Sequence, residues 1–71
     1  MNYDQLPSGL MRLGAEIREV RKARGLTLQD MSDAVSCSVA YLSRIERGSA
    51  RVSSELLTEI SAALAVDTEW F

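Results

Sequence analysis

Within the ten residues from Ser38 to Arg47 lie Val39, Ala40, Ser43 and Arg44. Placed about 100° apart on a helix, Ala40, Ser43, Arg44 and Arg47 share one side, with Val39 at its border. Tyr41, Leu42 and Ile45 share the other. Small residues near a helix N-terminus let its backbone come close to a surface, and arginines further along supply long donors. This is chemistry suited to a DNA major groove: alkyl groups against thymine methyls, guanidinium forks for guanine edges or phosphates. An ordinary amphipathic helix with a solvated arginine face has the same pattern, so this helix alone leaves both readings open.

Other chemistries find little support. The 71 residues include no histidine and one cysteine. No internal disulfide, zinc cluster or cofactor is therefore expected. No serine has a histidine to activate it, and no glycine loop is built to cradle phosphate. Glu16/Glu19 and Asp30/Asp33 are same-face carboxylate pairs of the kind that line a solvated helix. No catalytic residue is assigned, and no enzyme is expected.

The elements that must present the arginine face are short and well punctuated. Ser38 caps the helix and Gly48 closes it at C′. Upstream, Thr27 with Asp30 has the spacing of a capping box, which predicts a helix over 28–35 with Met31, Ala34 and Val35 inward. The link at Ser36-Cys37 is too short to wander, so the two helices must cross steeply as a helix-turn-helix. Leu10, Leu13, Ile17 and Val20 predict a first helix over 10–24, ended by Arg21, Lys22, Arg24 and Gly25. Ser53 caps a fourth helix carrying Leu56, Leu57, Ile60 and Leu64, and Asp67 can cap a fifth. Residues 1–9, with Pro7, Ser8 and Gly9, read as a flexible arm, and 10–71 as one all-α domain. The stop at Trp70-Phe71, just inside a capped helix, suggests the N-terminal part of a longer protein.

Net charge is −2, unusual for a nucleic-acid binder, but the charges are segregated. All eight cations lie between Arg12 and Arg51, among five anions. Four anions and no cation follow from Val52 onward. Local field matters more for docking than the total. No apolar stretch approaches the roughly 20 residues of a membrane span, and no signal peptide opens the chain. A cytoplasmic location is expected.

The chain resembles the Xre/Cro family of phage-repressor-like helix-turn-helix proteins. The likeness rests on Ile17-Arg18-Glu19-Val20-Arg21, on Gly25-Leu26-Thr27, and on Ser38 through Gly48 with its Leu42-Ser43-Arg44-Ile45-Glu46-Arg47-Gly48 run. It continues through Leu57, Ile60, Ala63, Leu64 and Val66. The resemblance implies a compact four- to five-helix lambda-repressor-like domain that binds double-stranded DNA and regulates transcription, here expected as a repressor. Ser38, Val39, Ala40 and Arg44 match base-facing positions. Ser43 and Arg47 suit phosphates, with Gln29 and Arg51 as further candidates. Arg21 and Glu46 match a pair that joins the first helix to the third.

Three positions depart from the family. Leu28 stands where many members have a phosphate-binding glutamine, with Gln29 beside it as a substitute. Ser36 stands where a left-handed glycine is usual, and Val52 where proline often opens the fourth helix. Cys37 falls where the family has a small apolar residue and reads as a buried hydrophobe. Val66, Trp70 and Phe71 are candidates for a homodimer interface on a near-palindromic operator; closing the core is the competing role for both aromatics. The alternative function is an antitoxin or protein-interaction adaptor on the same fold, which the acidic C-terminal part and Leu28 keep in play.

Overall fold

Ile17 and Val20 are buried on one side of the first helix, and every later element contributes to the same interior. The computed structural model describes residues 5–67 and 70–71, with side chains from residue 9 onward. Four helices follow in order: α1 (Gln5–Ala23), α2 (Leu28–Ala34), α3 (Val39–Glu46) and α4 (Ser54–Leu64). Among the described residues there is no strand. Met31 of α2, Leu42 and Ile45 of α3, and Ile60 and Leu64 of α4 are almost wholly buried. α3 packs on both α1 and α2, and α2 also packs on α4.

The ends of these helices follow local hydrogen-bond chemistry. Thr27 and Asp30 form both halves of a capping box, Asp30 N to Thr27 Oγ1 at 3.0 Å and Thr27 N to Asp30 Oδ2 at 2.9 Å. Ser38 accepts from Tyr41 N and Ser53 from Leu56 N, each at 3.1 Å. Gly25 and Gly48 adopt left-handed φ of +72° and +78°. Both close Schellman motifs: Leu26 N reaches Arg21 O, and Ser49 N reaches Arg44 O. α4 closes the same way, with Val66 N on Ser61 O, but the left-handed residue is Ala65 at φ 61°.

Four expectations are corrected. α1 begins at Gln5, not Leu10, so residues 5–9 belong to the helix; residues 1–4 of the expected arm lie outside the described residues. Proline is tolerated in a first turn because its missing N–H would have no partner there. Ala34 and Tyr41, expected inward, are exposed. Tyr41 stays at the surface because its hydroxyl needs a partner, and it donates to Arg51 O at 2.7 Å. Ser36 is not left-handed. It sits at the centre of an inverse γ-turn closed by Cys37 N on Val35 O at 3.0 Å, and its own N–H donates to Glu59 Oε1 at 2.7 Å. The expected fifth helix falls partly on residues 68–69, outside the described residues; Trp70 N donates to Asp67 O at 2.9 Å.

Candidate nucleic-acid interface

α3 is held from both ends and from behind, which fixes what it presents outward. At its start, the Ser38 cap and the γ-turn set its angle to α2, and Ser32 Oγ donates to Cys37 O at 2.8 Å. Cys37 is half-buried, and burial followed by the nearby Glu59 charge pushes its thiol pKa up, so it is held as the neutral thiol. At the far end, Gly48 lies so close to Met11 of α1 that a Cβ there would meet its Cγ at 2.6 Å.

Behind the helix, Arg21 of α1 forks onto Glu46, Nε to Oε2 at 2.7 Å and Nη2 to Oε1 at 3.1 Å. Its third donor, Nη1, reaches Leu26 O at 2.7 Å. Both side chains are more than nine-tenths buried. Hydrogen bonding to Glu46 raises the Arg21 pKa further above its already high value, against the cost of burial. A bidentate fork fixes direction as well as distance, so the pair locks α3 against α1. Gly14 allows this approach: α1 passes the last carbonyls of α3 there, with no room for a Cβ.

The outward face carries Ala40, Arg44 and Arg47, all exposed, with Val39 and Ser43 half-buried beside them. Ser38 is exposed at the helix start, its oxygen engaged by the cap. Arg44 stacks over the Tyr41 ring at 5.9 Å from the centroid, and its Nη2 lies 3.4 Å from Ser49 O. Arg51 is exposed on the following loop. Gln29 is exposed at the start of α2, where its amide donates to Asp33 at 3.0 Å. Leu28 is instead half-buried against the core, so it leaves no polar group at that position. The structure thus brings Val39, Ala40, Ser43 and Arg44 onto one helix, with Ser38 and Arg47 as its caps. Arg51 flanks that helix, and Gln29 lies on the neighbouring one.

Several residues near this face escaped sequence reasoning. Arg18 of α1 lines a shallow depression with Leu28, Ser43 and Arg47, and only its helical spacing to Arg21 could have signalled it. Arg24 reaches across to Leu64 O at 2.8 Å and so caps the end of α4. At the C-terminus, Val66 and Phe71 pack against the core, whereas Trp70 is 55% exposed with its ring edge-on to Phe71 at 5.2 Å. Among the described residues, no three acidic or cysteine side chains gather as metal ligands would, and no helix is long and apolar enough to cross a membrane.

Comparison with known proteins bears on this arrangement. Residues 17–71 match the sequence profile described as helix-turn-helix. The transcriptional regulator ClgR of Mycobacterium tuberculosis is 46% identical over 52 residues, covering 73% of this chain and 46% of that protein. The HTH-type transcriptional regulator DdrOP3 of Deinococcus deserti is 39% identical over 56 residues, 79% of this chain and 43% of that protein. This chain therefore spans less than half the length of these curated relatives. Among solved structures, the restriction-modification controller protein C.AhdI from Aeromonas hydrophila superposes with a TM-score of 0.84 at 26% identity, over 87% of this chain and 94% of that one. The clp gene regulator ClgR from Corynebacterium glutamicum superposes at 0.81 and 41% identity, over 83% of this chain and 63% of that one.

Proposed function

This chain belongs to the Xre/Cro-type helix-turn-helix family, and from that premise we propose that it is the DNA-binding part of a transcriptional regulator. The observation that carries the reading is the outward face of α3, small at Ala40 and arginine-bearing at Arg44 and Arg47, on a helix fixed by the buried Arg21–Glu46 fork. In this reading α3 enters the major groove of double-stranded DNA. Ser38, Val39, Ala40 and Arg44 meet base edges, Arg44 through a fork to guanine O6 and N7. Ser43, Arg47, Arg51 and Gln29 meet phosphates and set the register. The function is binding, not catalysis, and it is exercised in the cytoplasm where the DNA lies.

The regulatory form we propose is a homodimeric repressor on a near-palindromic operator, with recognition helices about 34 Å apart. The exposure of Trp70 supports a contact at the C-terminal end. Phe71 and Val66 contribute their uncovered edges.

Binding-site selection from a random duplex library, followed by mobility shift, tests the reading. An enriched site with two related half-sites is expected, and Arg44→Ala should relax preference at one base pair in each. Retention of DNA with no enriched sequence would refute specific recognition. An enriched site lacking a dyad, bound by a monomer, would refute the dimer.

A further inference from the structure

The exposed aromatic ring at the edge of the groove-facing side of α3 has no role in the reading above. Tyr41 is 36% exposed, beside Arg44. A large apolar ring beside a helix face that must approach another molecule needs a reason to be there. Two contacts give one. The ring lies under the Arg44 guanidinium, 5.9 Å from centroid to Cζ, the i,i+3 spacing that brings side chains together on a helix. Its hydroxyl donates to Arg51 O at 2.7 Å and so ties down the loop that carries Arg51. That loop is closed against α3 a second time, because Ser49 Oγ donates to Arg44 O at 3.1 Å.

We infer that Tyr41 is a positioning residue: its ring holds Arg44 ready for base readout, and its hydroxyl holds the Arg51 loop at the phosphate backbone. The inference rests on the DNA-binding reading. A free arginine loses much side-chain freedom when it docks on a base, and one already held by a ring loses less. Of the five guanidinium donors, only one at Nη2 has a partner among the described residues, at a long 3.4 Å. The fork therefore remains available to guanine while its direction is restrained. The contact strengthens as the groove excludes water, because a cation over a ring gains most when desolvated.

The test compares Tyr41→Leu, which removes the ring, with Tyr41→Phe, which removes only the hydroxyl, each alone and combined with Arg44→Ala. Base preference is read by selection on the same random duplex library, and thermal melts establish that each variant is folded. Tyr41→Leu should lower discrimination at the Arg44 base pair by about 2- to 30-fold, and should add nothing in the Arg44→Ala background. Tyr41→Phe should keep that discrimination and weaken all sequences alike. A folded Tyr41→Leu protein with unchanged base preference overturns the inference, as does an equal loss in the Arg44→Ala background. A DNA-free arm separates this from failure of the functional reading. Ring-current shifts of the Arg44 side-chain protons should be present in the wild type and in Tyr41→Phe, and absent in Tyr41→Leu. If no sequence is selected but those shifts are seen, the regulator reading falls and the Arg44 platform stands. Arg44 protons at random-coil positions in the wild type overturn the platform without recourse to any variant.

Discussion

Replacing Gly14 by alanine sets two effects of opposite sign against each other. Alanine is the better helix former by about 1 kcal/mol, so α1 considered alone should gain. The structure puts a new Cβ at 2.7 Å from Glu46 O and 2.9 Å from Glu46 C, and still nearer to Ile45 O. Ordinary carbon–oxygen contacts begin at about 3.3 Å, so clearing Ile45 O requires α1 to retreat from α3 by roughly an ångström. The obstacle is backbone at a helix end held by Gly48 N on Ile45 O at 3.0 Å, so no side chain can swing aside. Overpacking of this kind costs about 1–3 kcal/mol. Arg21 lies two turns along the same face of α1, so a retreat also stretches its fork onto Glu46. With the helix gain of about 1 kcal/mol set against that cost, Gly14→Ala should destabilise by up to about 2 kcal/mol net, from a total of roughly 4–11 kcal/mol for a chain of this length. Urea titration reads it as a lower midpoint, and thermal melts as a fall of about 4–8 °C per kcal/mol. Gly9→Ala is the internal control: the same change in the same helix, with nothing within 4 Å of the new Cβ, should be neutral or stabilising. A Gly14→Ala protein at least as stable as its parent would refute the close crossing of α1 and α3.

Arg21→Ala and Glu46→Ala should each cost about 3–5 kcal/mol, because each strands a buried charge, while the double variant costs less than the sum. Denaturant melts showing strict additivity would remove the claim of coupling. Ala65→Gly should stabilise by about 0.5–1 kcal/mol, since glycine carries no Cβ into the left-handed φ of 61°; a lower melting temperature would contradict it. Asp30 is held below its ordinary pKa, first by the Thr27 backbone N–H and then by the Thr27 hydroxyl. Its folded value lies under its unfolded one, so its contribution is full above the ordinary carboxylate range and is lost as pH falls through the folded value. The stability gap between wild type and Asp30→Asn should thus close below about pH 4, and a gap constant across that range would count against the capping box.

Much of the fold was legible because its signals are local. Thr27 with Asp30, Ser38, Ser53, Gly25 and Gly48 each act through hydrogen bonds to residues at most five positions away, so spacing alone places them. The small-then-arginine face of α3 was legible for the same reason, as a matter of angle. What escaped depends on which elements meet. Gly14 is one isolated glycine in a helical run until α3 is known to pass beneath it. Glu59 and Arg24 look like solvated charges until the turn at Ser36 and the end of α4 are seen beside them, 23 and 40 residues away. The family likeness points to a left-handed residue at Ser36, whereas a γ-turn pairs its neighbours and the Glu59 carboxylate accepts its own N–H without one. Ala65 was missed because no glycine marks it. Pro7-Ser8-Gly9 has the composition of an arm, yet a first turn accepts proline and residues 5–9 are helical. Tyr41 fell on the inward side of the wheel, and only the position of the Arg51 carbonyl draws it out.

The Arg21 fork also bears on how the protein would respond to salt. Arg21 adds a full positive charge to any count made from composition, yet Glu46 neutralises it inside the protein and water reaches neither side chain freely. A DNA polyanion therefore exchanges none of its condensed counterions for this residue. In the proposed complex that exchange falls to the outward cations at phosphates, Arg47 and Arg51. With about two such contacts in each subunit, the logarithm of the binding constant should fall by about 2 per decade of salt for one subunit and about 4 for two. An acidic protein of this kind would hold non-specific DNA weakly, and its time on the chromosome would be governed by the fit of a few side chains to one sequence rather than by bulk charge.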